Sequence, residues 1–491
     1  MYKRQVLQNA NAIRLVDVAI EKKGKFESLG TDKVISIDYM ESILSPFTSA
    51  QILISDSVNF INTLPIEGGE YIRFKLETSW NKKAIEYKLK IYKIAGRTQI
   101  DAKKQTYSLM CVSEEALVNE TVRVEEQLRD NPQQIIKKLI KKKLQSTKEI
   151  YSEPSRFKVS LLPGRKRPFD IIAQLLKRSV SNATDYRASE APTQEQLDSE
   201  EAIRGSAGFL FWESWRGYNF FSIDAMCDRS DSKTFSSDKA DGTPFELTQG
   251  REPYTDRDIW GPYMDTIANT DRVEDMRFLI TTFMLNSETD LMSSLRMGKY
   301  STKMVFFNHS TGQYSEYVYK ITESYDNMAH LGGQTKISKI PDNTGSLESK
   351  YSRVMSAILD HETWYDDPEI KDPDDKSTIS PTEFADWQKY YAAQSFARSD
   401  LLKNQEATMK IPINPQICAG DKIDVGIQNK SSDKDKEKKP YDTETSGTYL
   451  VKEATHTYNF VNTGSSGAGY STLRLFRDSY GMGLEPSKRG E

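Results

Sequence analysis

Asn414–Gly426 reads NPQICAGDKIDVG, and far upstream Leu64–Lys75 reads LPIEGGEYIRFK. Each stretch runs through a proline, a short gap, a glycine, an acid and then alternating apolar residues. Placing Gly69 over Gly420 sets Glu70 on Asp421, Ile72 on Ile423 and Phe74 on Val425. Both alternations keep their phase, so the same strand face is buried in each. Downstream, IYKIAGRT (Ile91–Thr98) faces LVKEATHT (Leu450–Thr457), and TYSLMCVSEE faces STLRLFRDSY. The second stretch carries a charged insert, NKSSDKDKEKKPYDTETSG, between its first two strands. Gly-Asp before a strand is common, so the pattern alone leaves coincidence and duplication both open. The retained order of three segments speaks for duplication.

Around the first stretch, KVISIDYMES, SAQILISDS, YKLKIYKIAG and TYSLMCVSEE are short runs of period-two alternation. Several such strands in just over a hundred residues predict an antiparallel barrel or sandwich. The character then changes. NPQQIIKKLIKKKLQ begins with Asn131 as an N-cap and Pro132 at the first helical position, and PFDIIAQLLKRSV predicts a second helix. GFLFWESWRGYNFFSIDAM predicts a hairpin turning at SWRG. Strands return near Val273, followed by a short helix in ETDLMSSLRM, a hairpin turning at STGQ and a helix over 381–403. The stretches near 185–206, 228–258, 326–379 and 428–447 are long and polar. The fold class expected is α+β, mainly β, with inserted α/β and helical segments.

The 491 residues predict two to four domains. With 67 Lys+Arg against 71 Asp+Glu, the chain lacks the basic excess of a general nucleic-acid binder. Three scattered cysteines, Cys111, Cys227 and Cys418, make neither a disulfide framework nor a thiolate metal site, and argue for cytoplasmic folding. No HExxH, GxSxG or phosphate loop occurs, no cofactor is called for, and no run is apolar enough to span a membrane. The N-terminus does not read as a signal peptide.

Two regions resemble the baseplate hub protein of contractile-tailed bacteriophages, which is related to the hub part of type VI secretion spikes. One is the first hundred residues, from VISIDYMES to LMCVSEE. The other is MKIPINPQICAGDKIDVGI with GTYLVKEATHTYN and LRLFRDS, and PFDIIAQLLKR and GFLFWESWRGYNFFSID fall between in the same order. The resemblance implies two tail-tube-like β-barrels. Residues 1–117 would form the first, and 271–325 with 404–480 the second. An α+β insert would cover 118–270, an irregular acidic segment plus helix 326–403, and a tail 481–491. It implies a structural, non-enzymatic homotrimer whose six barrels match the six-fold tail tube on one side and a trimeric central spike on the other. DNA would pass through the lumen without sequence-specific contact. The tail tube, spike, baseplate wedge and tape measure proteins are the implied partners. The virion baseplate, assembled in the host cytoplasm, is the implied location. Gly69, Glu70, Ile72, Phe74, Gly420, Asp421, Ile423 and Val425 are the positions that define the repeat. A secretion-system or tailocin spike is the nearest alternative, and a wall hydrolase the more distant one.

The other chemical signals have plainer readings. GRKRP (Gly164–Pro168) is expected as an exposed turn before a helix, and the lysines at 137, 138, 141, 142 and 143 as a solvated face. DDPEIKDPDD lacks the glycine and glutamate of a calcium loop. GSSGAG predicts a hairpin turn, and His456 a surface or interface position. A glycosidase needs two carboxylates, one with a raised pKa. Glu213, set among aromatics, is the one acid in an apolar setting, and the sequence supplies it no partner.

Overall fold

The computed structural model describes residues 9–181, 207–228, 278–332, 350–359, 392–427 and 442–479, with short gaps inside them, and two brief strands at 233–235 and 258–260. The acidic run DDPEIKDPDD, the charged insert from 428 to 441 and the tail from 480 lie outside these residues. The fold is mainly β. The N-terminal part supplies β1 (Ala12–Lys22), β2 (Lys25–Ser28), β3 (Val34–Ser42), β4 (Ser49–Asp56), β5 (Tyr71–Thr78), β6 (Ile85–Asp101) and β7 (Lys104–Val112). Short strands β8 (Leu128–Asp130), β9 (Ile150–Ser152) and β10 (Val159–Leu161) precede the hairpin β11 (Phe209–Ser214) and β12 (Gly217–Ser222). Two three-residue strands follow, β13 (Lys233–Phe235) and β14 (Asp258–Trp260), and then β15 (Thr282–Glu288). After β16 (Ser301–Asn308), β17 (Tyr314–Lys320) and β18 (Arg353–Leu359) come β19 (Gln405–Pro412), β20 (Lys422–Val425), β21 (Gly447–Asn459) and β22 (Ser466–Arg477).

Two five-stranded units share one antiparallel order. The first runs β3-β4-β7-β6-β5 and the second β15-β19-β22-β21-β20. They are parts of a single sheet, because the second half of β21 pairs with β3 from Glu453↔Ser42 to Asn459↔Ser36. Between Val451 and Glu453 the register against β22 shifts, and there β21 changes neighbour, from β20 before the shift to β3 after it. A bulge bends a strand and increases its twist, which lets one strand serve both units. β1 pairs with β5 along its length and with β22 over Ala12–Arg14. The pairings β21-β3-β4-β7-β6-β5-β1-β22-β21 therefore return to their start. Eight strands leave an interior that side chains can fill. Ile13, Val18, Ile37, Ile52, Ile72, Phe74, Leu89, Leu109 and Tyr458 pack together there, all buried. A second cluster, with Met409, Ile423, Val425, Tyr449, Val451 and Leu473, fills the other unit.

The middle of the chain packs separately. The helix Pro168–Leu176, Ile135 to Ile140, and Phe209, Phe211, Tyr218 and Phe220 share one core with Met304, Phe306 and Tyr319. The β16–β17 hairpin belongs to a three-stranded sheet with β18 and is not part of the large sheet. Pro132 opens the helix Pro132–Lys138, which continues as a π-helical turn through Lys143. Of the five lysines there, Lys138 and Lys143 pair with Glu126. GRKRP forms an exposed turn ahead of the helix at Pro168, with Arg167 paired to Glu120 and Asp170.

Candidate functional site: the junction between the two units

The residues that define the repeat occupy matching places. Gly69 and Gly420 both have φ +89. Gly69 N–H donates to Ile91 O at 2.7 Å and Ile91 N–H to Glu70 O at 2.9 Å. Gly420 N–H donates to Val451 O, and Val451 N–H to Asp421 O, both at 2.8 Å. The acid that follows each glycine accepts the N–H three residues before it, Glu67 to Glu70 at 2.8 Å and Cys418 to Asp421 at 3.0 Å. Ile72 and Phe74 are fully buried in one unit, and Ile423 and Val425 in the other. The second strand shifts register at the same point, Ile91/Lys93 against β7 and Val451/Glu453 against β22. The sequence alignment is one residue out downstream. Ile91 corresponds to Val451 rather than Leu450, and Tyr107 to Ser471. The offset arises in the connection between the first two strands, which differs in length between the units, and alternation does not fix the length of a connection.

A positive φ near +90° favours glycine. Gly69→Ala meets no atom within 4 Å, so its effect is backbone strain alone. We expect a loss of about 1–2 kcal/mol, read as a lower urea midpoint with unchanged slope, and at least as large a loss for Gly420→Ala. No change in either midpoint would contradict the shared turn geometry.

In the first unit this turn is exposed, whereas in the second it anchors the inserted hairpin. β11 and β12 are buried on both faces. Phe209, Phe211 and Phe220 enter the central core, while Trp212 and Phe221 pack with Ile43, Leu450 and Phe476. This two-sided burial carries the hairpin turn between the units. Arg216 donates to both Asp421 oxygens, at 2.6 and 2.8 Å, and to Gln416 O at 2.7 Å. Trp212 Nε1 donates to Ala419 O at 2.9 Å. From the other unit, Glu41 accepts Ala419 N–H at 3.0 Å, Tyr39 O–H at 3.1 Å and the N–H of Trp215. Three segments distant in sequence thus meet on Glu41 and Asp421.

Burial pushes the Glu41 carboxyl up to about 7, against hydrogen bonds that pull it down. A folded pKa above the unfolded one makes a contribution to stability that is full below about 4.5 and is lost as pH rises through 7. Unfolding free energies from pH 5 to 8 should therefore fall in the native protein relative to Glu41→Gln. Parallel curves would refute the assignment. His456 has the opposite sign. Burial drives it down to about 4, so its contribution is present above 6.5 and is lost as pH falls. The expected surface position of His456 is corrected by the structure. The ring is buried between Ser471 Oγ (2.8 Å) and Ile417 O (3.0 Å), with Tyr39 of the neighbouring β3 stacked beside it.

Glu213 does have a partner. Lys148 bridges it to Glu115, which lies 2.6 Å from the ammonium, and Thr48 N–H donates to the second Glu213 oxygen at 3.0 Å. Burial raises Glu213, with Lys148 opposing, while at Glu115 burial is outweighed by the same ammonium together with hydrogen bonds that include the Ser146 hydroxyl, so its carboxyl is held low. The group borders a cleft of about 740 Å³ lined by Tyr39, Tyr87, Lys148, Glu213, Trp215 and Arg216. Among the described residues no cluster of His, Cys, Asp and Glu is suited to hold a metal ion, and no helix is long and apolar enough to cross a membrane.

Sequence reading missed Glu41, Lys148 and Arg216. Only Glu41 left a signal. It falls in phase with Ile37 and Tyr39 on the buried face of KVISIDYMES, an acid where the alternation calls for an apolar residue.

No protein-family model matches the chain, and no curated protein matches it in sequence. Among solved structures, the chain is similar to the 43 kDa tail protein of prophage MuSo2 from Shewanella oneidensis, at 10% identity and TM-score 0.47 over 94% of this chain and 98% of that one. A tail protein from Neisseria meningitidis MC58 matches at 10% identity and TM-score 0.46, over 94% and 96%. An E. coli protein described as a type VI secretion component with structural similarity to T4 phage tail proteins matches at 8% identity and TM-score 0.41, over 96% and 80%.

Proposed function

We propose that this chain is the homotrimeric hub of a contractile-tail baseplate. The observation that carries this reading is the repetition within one chain. Two units of the same strand order are joined edge to edge, so three chains present six such units in a ring. A ring of that kind adapts a six-fold tail tube to a three-fold spike, encloses a channel for DNA and leaves the polar inserts to meet wedge proteins. In this reading each unit plays the part of one tail-tube subunit, and closed symmetry repeats one set of contacts around the ring.

The role is scaffolding rather than catalysis. A glycosidase acid must hold a proton to deliver, beside a second carboxylate free to act. Glu213 and Glu115 share one ammonium, and Glu213 also receives Thr48 N–H, which suits a clamp between insert and sheet. Light scattering on the pure protein should give three times the 56.1 kDa chain mass, about 168 kDa. A monomer that clears cell wall on a zymogram would overturn the reading in favour of the hydrolase. The secretion-system alternative shares the same ring, and genes for a sheathed phage tail beside this one distinguish the phage hub from it.

A further inference from the structure

The two units are alike in order but differ at their edges. In the first unit β3 is covered by β21, and its inward residues Ile37 and Tyr39 are 0% and 3% exposed. In the second unit β15 takes the place of β3, so Phe283 corresponds to Ile37 and Leu285 to Tyr39, through their β19 and β4 partners. Phe283 and Leu285 are only partly buried, and Met284 is 57% exposed. Among the described residues, no strand pairs with the outer edge of β15. The complementary edge is also open. β21 beyond its bulge pairs with β3, but its counterpart in β6, Lys93–Asp101, pairs with β7 alone among the described residues. Ala454 is fully buried while its counterpart Ile94 is half-buried, and Ile100 is 60% exposed. One junction is sealed inside the chain, and among the described residues no strand pairs with either half of a second.

We propose that the β6 edge of one copy pairs antiparallel with the β15 edge of the next, in the register that β21 and β3 use within the chain. Carrying Thr455↔Met40 across puts Ala95 opposite Ser287 of a second copy, and Thr457↔Asp38 puts Thr98 opposite Met284. The extra residue in β6 before Thr98 and the extra residue in β15 at Asn286 then face each other, so the ladder stays in step on both sides. The pairing is head-to-tail, and the rotation already built between the units of one chain carries it around. Long open edges are rare in natural proteins because they recruit further strands, and here the recruited strand is the chain's own. The occupant is another copy, and the number of copies rests on the trimer proposed above.

The test is a disulfide between Ala95→Cys and Ser287→Cys in the full chain. Directly opposed residues on antiparallel strands lie about 4.5–5.5 Å apart at Cα, within disulfide reach. The three native cysteines are buried and free. Under mild oxidation, non-reducing gels should lose the monomer band to a ladder whose top rung counts the ring. The pair Ala95→Cys with Thr282→Cys, displaced along β15 by roughly 15 Å, should yield roughly tenfold less product. Equal cross-linking by both pairs, or none from the first while light scattering of the reduced protein gives a trimer, overturns the strand pairing and leaves the trimer standing. A monomer by light scattering overturns both.

Discussion

Arg216→Ala is expected to lower stability by about 3–5 kcal/mol, because it strips a bidentate guanidinium from a buried carboxylate. The guanidinium spans both Asp421 oxygens and the Gln416 carbonyl, and its side chain is 9% exposed against 6% for Asp421. Burial works against the Arg216 charge, and Asp421 beside it outweighs that and keeps the guanidinium charged. The alanine variant removes both guanidinium bonds from Asp421, at the point where the hairpin meets the second unit. Arg216→Lys should recover only part of the loss, since an ammonium cannot grip two oxygens and a carbonyl in one plane. Urea unfolding of the two variants measures this. A loss below 1 kcal/mol for alanine would mean that the hairpin turn does not tie the units together.

Arg398→Ala should be at least as damaging, in the same range of about 3–5 kcal/mol. The side chain is fully buried and donates to Asp224 at 2.9 Å, Asp478 at 2.8 Å and Ala329 O at 2.6 Å. Asp478 also meets His330 Nδ1 at 2.9 Å and accepts Leu331 N–H at 2.9 Å. Burial opposes its charge, yet His330 and Arg398 hold its carboxyl well below the usual range. Removing the guanidinium exposes two buried carboxylates to each other. The linked prediction is that Arg398→Ala combined with Asp478→Asn costs less than the sum of the singles, because the two side chains share one contact that either single change already breaks. Additive losses in a denaturant double-mutant cycle would show that the two residues act independently. This cluster joins the helix at 392–401, the loop before Leu331 and the end of β22, so its loss should also weaken the packing of the insert on the large sheet.

The strands were the most legible part of the chain. Ile72, Phe74 and Leu76 alternate with Arg73 and Lys75, and the structure buries the first three and leaves the others half-covered. A strand with one wet face announces itself in this way. The hairpin around SWRG was legible for a different reason, a turn set between two aromatic runs. Its purpose was not, because aromatic residues on both faces are equally consistent with a core and with a subunit contact. His456 was misplaced because its strand looks half-polar. Its burial depends on β3, more than four hundred residues earlier, lying along its edge.

By itself, the sequence determined the local events. These are the glycine that admits a positive φ before each acid, the period-two alternation after it, the prolines that open the helices at 132 and 168, and the recurrence of the strand grammar in the same order. Such choices rest on neighbours within a few residues, and a sequence displays those directly. Only tertiary structure decided which strand lies beside which, where a bulge hands β21 from one partner to another, and why Glu41, Arg216 and Asp421 meet. Those outcomes depend on pairing energies between segments hundreds of residues apart, and alternation encodes a face to bury without naming the strand that will cover it.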